Sequence, residues 1–218
     1  MLGSSRASSQ DATEDEERTR GMARPQNLQR KPQLLAGILD YLQDKNLAGL
    51  SFRSLAEGLG ISSYMLVYHF GSREQLVAEI VAQVQSGLAA PPRDQMLHLA
   101  PEGFREQMLR LWSRSMTVRG RQLQRLGFEA AMQDPGGAFG THSADLYGAW
   151  QDVATGWLQA NGVAPETAEV EGRLFAAGVH GLLYEHVLTG DTEQTTAGFR
   201  LLLDRYLSKA ASSPTLEP

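Results

Sequence analysis

The stretch Ser51 to Leu76, SFRSLAEGLGISSYMLVYHFGSREQL, constrains the fold more than any other part of the chain. Ser51 is suited to cap a helix. Phe52, Leu55, Ala56 and Leu59 then fall at i, i+3, i+4 and i+7, which is one apolar helical face. Gly60 stands where a left-handed C-terminal cap belongs, because a residue without Cβ enters that conformation at no steric cost. Ser62 or Ser63 can cap a second helix, which carries Leu66 and Phe70 four apart on one side. Gly71-Ser72 ends it, and Arg73 opens the next helix. A helix, a turn containing Gly, and a second helix with polar and aromatic residues outward form a helix-turn-helix. That geometry places the second helix in a DNA major groove.

Every other recognisable segment also has a helical period, and neither a strand pattern nor an internal repeat is evident. The expected fold class is therefore all-α, with about nine helices: a three-helix N-terminal head and a C-terminal helical body. The first helix is predicted from about Pro32 to Asn46, with Leu35, Ile38, Leu39 and Leu42 inward. Another spans about Arg73 to Gly87, burying Leu76, Val77, Ile80, Val81 and Val84. Pro91-Pro92 then mark a boundary. Further helices are predicted over Pro101–Val118, Arg121–Gln133 after a break at Gly120, His142–Asn161, Pro165–Thr189 and Thr192–Ala210. The domains follow: a compositionally disordered tail over 1–24, a head over 25–87 with its helix-turn-helix at about 51–70, a body over 93–210, and a frayed tail over 211–218. Met22 would serve as a start as well as Met1.

Composition narrows the function classes. Of 218 residues, 42% are hydrophobic and 21% charged, enough apolar material for a sizeable core. There is no cysteine, so disulfides, thiol catalysis and Cys-based metal sites are excluded. No apolar run could span a membrane and no secretory signal pattern opens the chain, so a soluble cytoplasmic protein without a membrane partner is expected. A net charge of −5 argues against holding nucleic acid by bulk charge. Within the head, Arg30, Lys31, Lys45, Arg53 and Arg73 are balanced by Asp40, Asp44, Glu57, Glu74 and Glu79. DNA binding then needs a clustered basic side and two copies of the head. No nucleophile–base pair, phosphate loop, zinc helix motif or paired carboxylates are visible, so no enzyme, cofactor or metal is expected. His180 and His186 are six apart on one predicted helix, poor spacing for a shared metal.

The runs Phe52-Arg-Ser-Leu-Ala-Glu-Gly-Leu-Gly-Ile-Ser, Leu66-Val-Tyr-His-Phe and Ser72-Arg-Glu-Gln-Leu resemble the DNA-reading head of the TetR family of bacterial transcriptional regulators. The resemblance covers roughly residues 30 to 86. It implies a homodimer in which each subunit joins a DNA-reading head to a ligand-binding and dimerisation body. The last two long helices of each subunit would pair into a four-helix bundle. A small-molecule effector would release a double-stranded, pseudo-palindromic DNA operator, most simply in a repressor. An activator, or a binding protein whose head no longer reads DNA, are the alternatives. Carried over by residue, Ser51, Ser62, Ser63, Tyr68, His69 and Arg73 would meet phosphates, while Arg53, Tyr64 and Met65 would reach base edges. Val67 departs from the pattern, which commonly has Tyr directly after the recognition-helix Leu.

In the body, Met108, Trp112, Met116, Phe128, Met132, Phe139, Tyr147, Trp150, Phe175 and Tyr184 are large apolar or aromatic residues expected on inward faces. They suit an apolar or aromatic ligand and equally a plain core. Gly178 and Gly181 remove side-chain bulk and imply close helix approach, either at a dimer bundle or inside the body; with Leu183, Val187, Leu203 and Tyr206 they are the expected dimer interface. Arg105, Arg110, Arg114, Arg119, Arg121 and Arg125 form a basic series. Pairing with Glu102, Glu106 and Glu129 on a solvated face is the favoured account of it; attraction of an acidic ligand, or extension of the DNA-facing surface, are the alternatives.

Overall fold

The computed structural model describes residues 30–133 and 143–211. The expected tails before residue 25 and after Ala211, together with Phe139 and His142, lie outside them. Among the described residues the structure is helical throughout, without strands. Contacts divide them into two compact units: a head of residues 30–45 and Gly49–Arg73, and a body of Asn46–Ala48 and residues 74–211. The head thus ends before the expected residue 87, because the helix that follows groups with the body by its contacts.

In the head, α1 (30–41) runs into a short 3-10 turn, Leu42–Asp44, and ends earlier than predicted because Lys45 is extended. Helix α2 (Phe52–Leu59) opens on a reciprocal cap: Ser51 Oγ accepts from the Ser54 N–H at 3.1 Å, and Ser54 Oγ accepts from the Ser51 N–H at 3.2 Å. It closes on Gly60 at φ 65°, ψ 33°. Ser62 then caps α3 (Ser63–Phe70) by accepting from the Met65 N–H at 3.2 Å. Ile38, Leu42, Leu55, Leu66 and Phe70 are buried and fix the three helices. A Cβ on Gly58 would stand 2.0 Å from the Tyr41 ring, so α1 and α2 touch with nothing between them.

The body contains α4 (Arg73–Leu88, from Glu74 onward), α5 (Arg93–Leu97), α6 (Pro101–Ser115), α7 (Val118–Gln133), α8 (Ser143–Ala160), α9 (Pro165–Thr189) and α10 (Thr192–Ala211). Helix α5 is too short for periodicity to reveal; buried Met96 anchors it. The chain breaks at Met116-Thr117, not at Gly120. Gly120 lies inside α7, where a Cβ would stand 2.2 Å from the Arg114 carbonyl oxygen, so its smallness serves the tight α6–α7 corner. Residues 46–48 belong to the body because Glu129 of α7 accepts from the Leu47 N–H at 2.6 Å and the Ala48 N–H at 3.3 Å.

An aromatic stack forms the body's centre. Phe104 meets Trp157 with ring centroids 4.4 Å apart, and Phe175 stacks on Tyr206 at 4.1 Å. The polar ends of these rings are satisfied: Tyr206 donates to the Ala154 carbonyl at 2.6 Å and Trp157 Nε1 to the Leu99 carbonyl at 2.9 Å. Burial raises the Tyr206 phenol far above its ordinary pKa, so it stays a donor. Helix α9 packs against α7, α8 and α10. It meets α8 most closely at Gly172, where a Cβ would lie 2.3 Å from Thr155 Oγ1 and 2.7 Å from the Thr155 backbone nitrogen. Gly172→Ala is expected to destabilise the protein by about 1–3 kcal/mol through overpacking. Gly148→Ala in α8, where a Cβ would meet nothing within 4 Å, should gain up to about 1 kcal/mol from helix propensity. Urea unfolding of both variants checks this; equal midpoints would contradict the close α8–α9 approach.

Candidate DNA-reading helix and body cavity

Leu66 and Phe70 anchor α3 inward, which leaves Tyr64, Val67 and Tyr68 on the outer face at 77%, 48% and 61% exposure. The Tyr64 and Tyr68 rings lie 6.5 Å apart with their planes 28° from parallel, so α3 presents two neighbouring phenols on its exposed face. Val67 shares that surface, so the departure from the resembled pattern falls on the exposed face of α3. Arg53 and Ser63 are exposed beside it. Met65 is half-buried, in contrast to the outward placement expected, because it flanks the Leu66 anchor one turn before half-buried His69. The hydroxyls of Ser51 and Ser62 are occupied as helix caps. Arg73 is also half-buried: its Nε–H donates to the Leu50 carbonyl at 2.7 Å. This contact, which spans 23 positions of sequence, has no local signature. Arg73 therefore ties α4's first residue to the loop before Ser51.

The body encloses a cavity of about 620 Å³ between α4, α6, α7, α8 and α9, with Phe199 of α10. Of the expected lining residues, Met108, Trp112, Phe128, Tyr147, Trp150 and Phe175 line it. Trp112 and Phe199 stack face to face, 4.1 Å apart and 2° from parallel, forming one flat wall. Three expected lining residues lie elsewhere. Met132 is 82% exposed, since it follows buried Ala130 by about 200° of helix turn. Tyr184 is half-exposed and lays its ring against the edge of Phe128 from outside. Met116 packs against the main core at the α6–α7 corner.

Sequence reasoning missed His180 and Gln85 as lining residues. Ala176, His180 and Leu183 line the cavity at helical spacing, so a His on an apolar stripe was the available signal. The His180 ring lies 4.7 Å from that of Tyr147, and its Nδ1 sits 2.9 Å from the Ala176 carbonyl oxygen. A carbonyl can only accept, so Nδ1 carries the hydrogen; in the neutral ring Nε2 is then an acceptor. Gln85 Nε2 is a buried donor without a partner among the described residues.

The outward residues of α9 form a continuous stripe. Val170, Leu174, Ala177, Gly181, Tyr184 and Leu188 are all exposed and follow one another at steps of three and four. On its neighbouring face, α9 touches α10: Gly178 lies against Leu202, and Leu182 against Gly198. Ala177 and Gly181 precede those contact residues by one position, as Ala197 and Leu201 do on α10. In an antiparallel pair these positions share one side, so exposed Leu201 and Ala197 continue the stripe. The interface expected from sequence needs correction here. Leu183, Leu203 and Tyr206 are buried within the subunit, Gly178 is filled by Leu202, and the Val187 carbonyl is held by Arg121 at 2.7 Å. Of the six expected residues, Gly181 lies on the exposed stripe.

No family model and no curated protein matches the chain. Solved structures do. A TetR transcriptional regulator from Legionella pneumophila matches with a TM-score of 0.60 at 19% identity, covering 79% of this chain and 94% of that one. A proposed transcriptional regulator from Pseudomonas aeruginosa PAO1 matches with a TM-score of 0.60 at 21% identity, covering 87% and 94%. A TetR-family transcriptional regulator from Pseudomonas syringae pv. tomato DC3000 matches with a TM-score of 0.54 at 16% identity, covering 83% and 96%. The fold is that of the TetR family. The TetR fold extends over both units of this chain, head and body alike, since each neighbour covers more than three quarters of it. Among the described residues no helix is long and apolar enough to cross a membrane, and no three His, Asp or Glu side chains gather to hold a metal.

Two histidines of this TetR-type body titrate below the ordinary value of 6.5. For His180 burial is the cause, opposed by the hydrogen bond to Ala176. For His186 burial acts first and the nearby Arg121 charge second, opposed by Asp191. Both pKa values are depressed on folding, so the unfolded chain binds more protons between the folded values and 6.5. The stability they allow is full above 6.5 and is lost as pH falls through the folded values. Urea midpoints are expected to fall between about pH 7.5 and pH 5.5. The fall should be shallower in the double variant His180→Gln/His186→Gln; an identical pH slope would contradict this account.

Proposed function

We propose that this chain is a ligand-responsive, DNA-binding transcriptional regulator of the TetR family. It reads a pseudo-palindromic operator as a homodimer and is most simply a repressor released by a small, largely apolar or aromatic molecule. The observation that carries the DNA reading is the outer face of α3, where Tyr64, Val67 and Tyr68 stand exposed on a short helix with its N-terminus capped and its back anchored. Large aromatic side chains in solvent are costly for folding and useful for contact. Over residues 30–45 and Gly49–Arg73 the head carries Arg30, Lys31, Lys45, Arg53 and Arg73 against Asp40, Asp44 and Glu57, a formal charge of 5 − 3 = +2, so affinity rests on a few placed contacts and on two heads acting together.

The apolar stripe on α9 and α10 supports the homodimer. It is long, continuous and small at its centre, where Ala177 and Gly181 allow two copies to approach closely. The cavity supports the effector, since its volume lies within the roughly 300–1,000 Å³ of small-molecule sites. Its α7 wall includes Gly127, Phe128, Ala130 and Ala131, and Glu129 between them holds the backbone of residues 47 and 48. Those residues lead directly into the Ser51 cap. A ligand that shifts α7 therefore acts on the chain just before the reading helices.

Fluorescence anisotropy on DNA flanking the protein's own gene tests the reading. Binding should weaken steeply as salt rises, because phosphate contacts release counterions. Tyr64→Ala or Arg53→Ala should change the preference among operator variants, by about 1–3 kcal/mol at the affected base pair. Absence of binding on every flanking fragment would overturn the reading; unchanged preference in both variants would mean that another face reads DNA.

A further inference from the structure

Within this reading of the cavity as an effector site, its charges say more about the ligand than its apolar walls do. The cavity is lined by residues of six helices and their connections, and no Asp or Glu is among the described lining residues. Its charged lining residues are Arg114 and Arg119, both beside the α6–α7 corner with Ser115, Thr117 and Gly120. The other arginines of the basic series are committed. Arg105 pairs with Asp204, Arg110 with Glu106, Arg125 with Glu129, and Arg121 donates to the Val187 carbonyl. Arg119 donates to Gln122 Oε1 at 2.8 Å. Arg114 is exposed at this polar end and has neither an ion pair nor a side-chain hydrogen bond among the described residues. Much of the remaining lining is apolar, including the stacked Trp112–Phe199 pair, Phe175, Val179 and Leu183.

We propose that the cavity takes an amphipathic organic anion, a carboxylate with an aromatic or alkyl body, its head at Arg114 and its body against the Trp112–Phe199 wall. A guanidinium offers a planar fork that matches a carboxylate, and a wall without acids adds no repulsion to an anion. An apolar body alone would be served equally by an uncharged polar end. A cation in the last turn of α6 also complements that helix's terminus, which is a stability role and predicts nothing about ligands. Binding measurements separate the two.

The test is calorimetric titration of the full-length dimer with matched pairs: dodecanoate and naphthalene-2-acetate, each against its methyl ester. The carboxylates should bind about three- to tenfold more tightly than their esters, a modest ratio because Arg114 is solvent-exposed. Arg114→Gln should bring that ratio close to one while leaving ester affinity unchanged, and added salt should lower the ratio in the wild type. Esters that bind as tightly as the acids, or a ratio that survives Arg114→Gln, would overturn the anion proposal and leave the apolar effector cavity standing. Absence of binding by all four probes would overturn both.

Discussion

Helix α9 is the constraint on which the body depends. It packs on α7, α8 and α10 at once, and it can approach so many neighbours because glycines stand at the tightest points. At Gly172 there is room for Thr155 and nothing more, and Gly178 receives the Leu202 side chain. A helix held this way has few faces left. The stretch holding Phe175, Ala176, Val179, His180 and Leu183 borders the cavity, and the stripe from Val170 to Leu188 is turned to solvent. The cavity and the exposed stripe are thus opposite consequences of how one helix is surrounded.

The head rests on a smaller constraint of the same kind. Gly60 takes a left-handed conformation that side chains rarely adopt, and the chain reverses there within a few residues. Ser51 and Ser62 cap the helices on either side, while Leu66 and Phe70 set the rotation of α3. Once those anchors are buried, Tyr64 and Tyr68 have nowhere to go but outward. The local rules agree with one another, and a chain that obeys several consistent local rules folds to a well-defined head.

That agreement explains which parts were legible in the sequence. The caps, the Gly60 turn and the bounds of α9, with Pro165 in its first turn and Gly190 after its end, carry local signatures. The inward faces of amphipathic α2 and α4 were legible for the same reason. The rotation of α9 was not. Leu174, Leu182, Leu183, Tyr184, Val187 and Leu188 are apolar nearly all round the helix, so period alone cannot separate core from surface. The expectation from sequence puts Leu183 at an interface and Tyr184 in a pocket, whereas the structure places Leu183 on the cavity wall and Tyr184 on the exposed stripe. Helix α5 is shorter than the period needed to detect it. The Arg73–Leu50 and Glu129–Leu47 contacts join distant positions through a backbone carbonyl and a backbone N–H, which no side-chain pattern announces. The cavity belongs to the assembled helices and to no single stretch.

In the proposed regulator two copies would meet through α9 and α10 and together present two α3 helices to DNA. Footprinting of the full-length protein on fragments selected from a random DNA library tests this arrangement most directly. The account predicts two protected half-sites of inverted sequence, centred about one helical turn or a multiple of it apart. It also predicts that Leu174→Asp, which places a charge in the stripe, abolishes protection of both together. A single unpaired half-site, protected equally by the wild type and by Leu174→Asp, would contradict it.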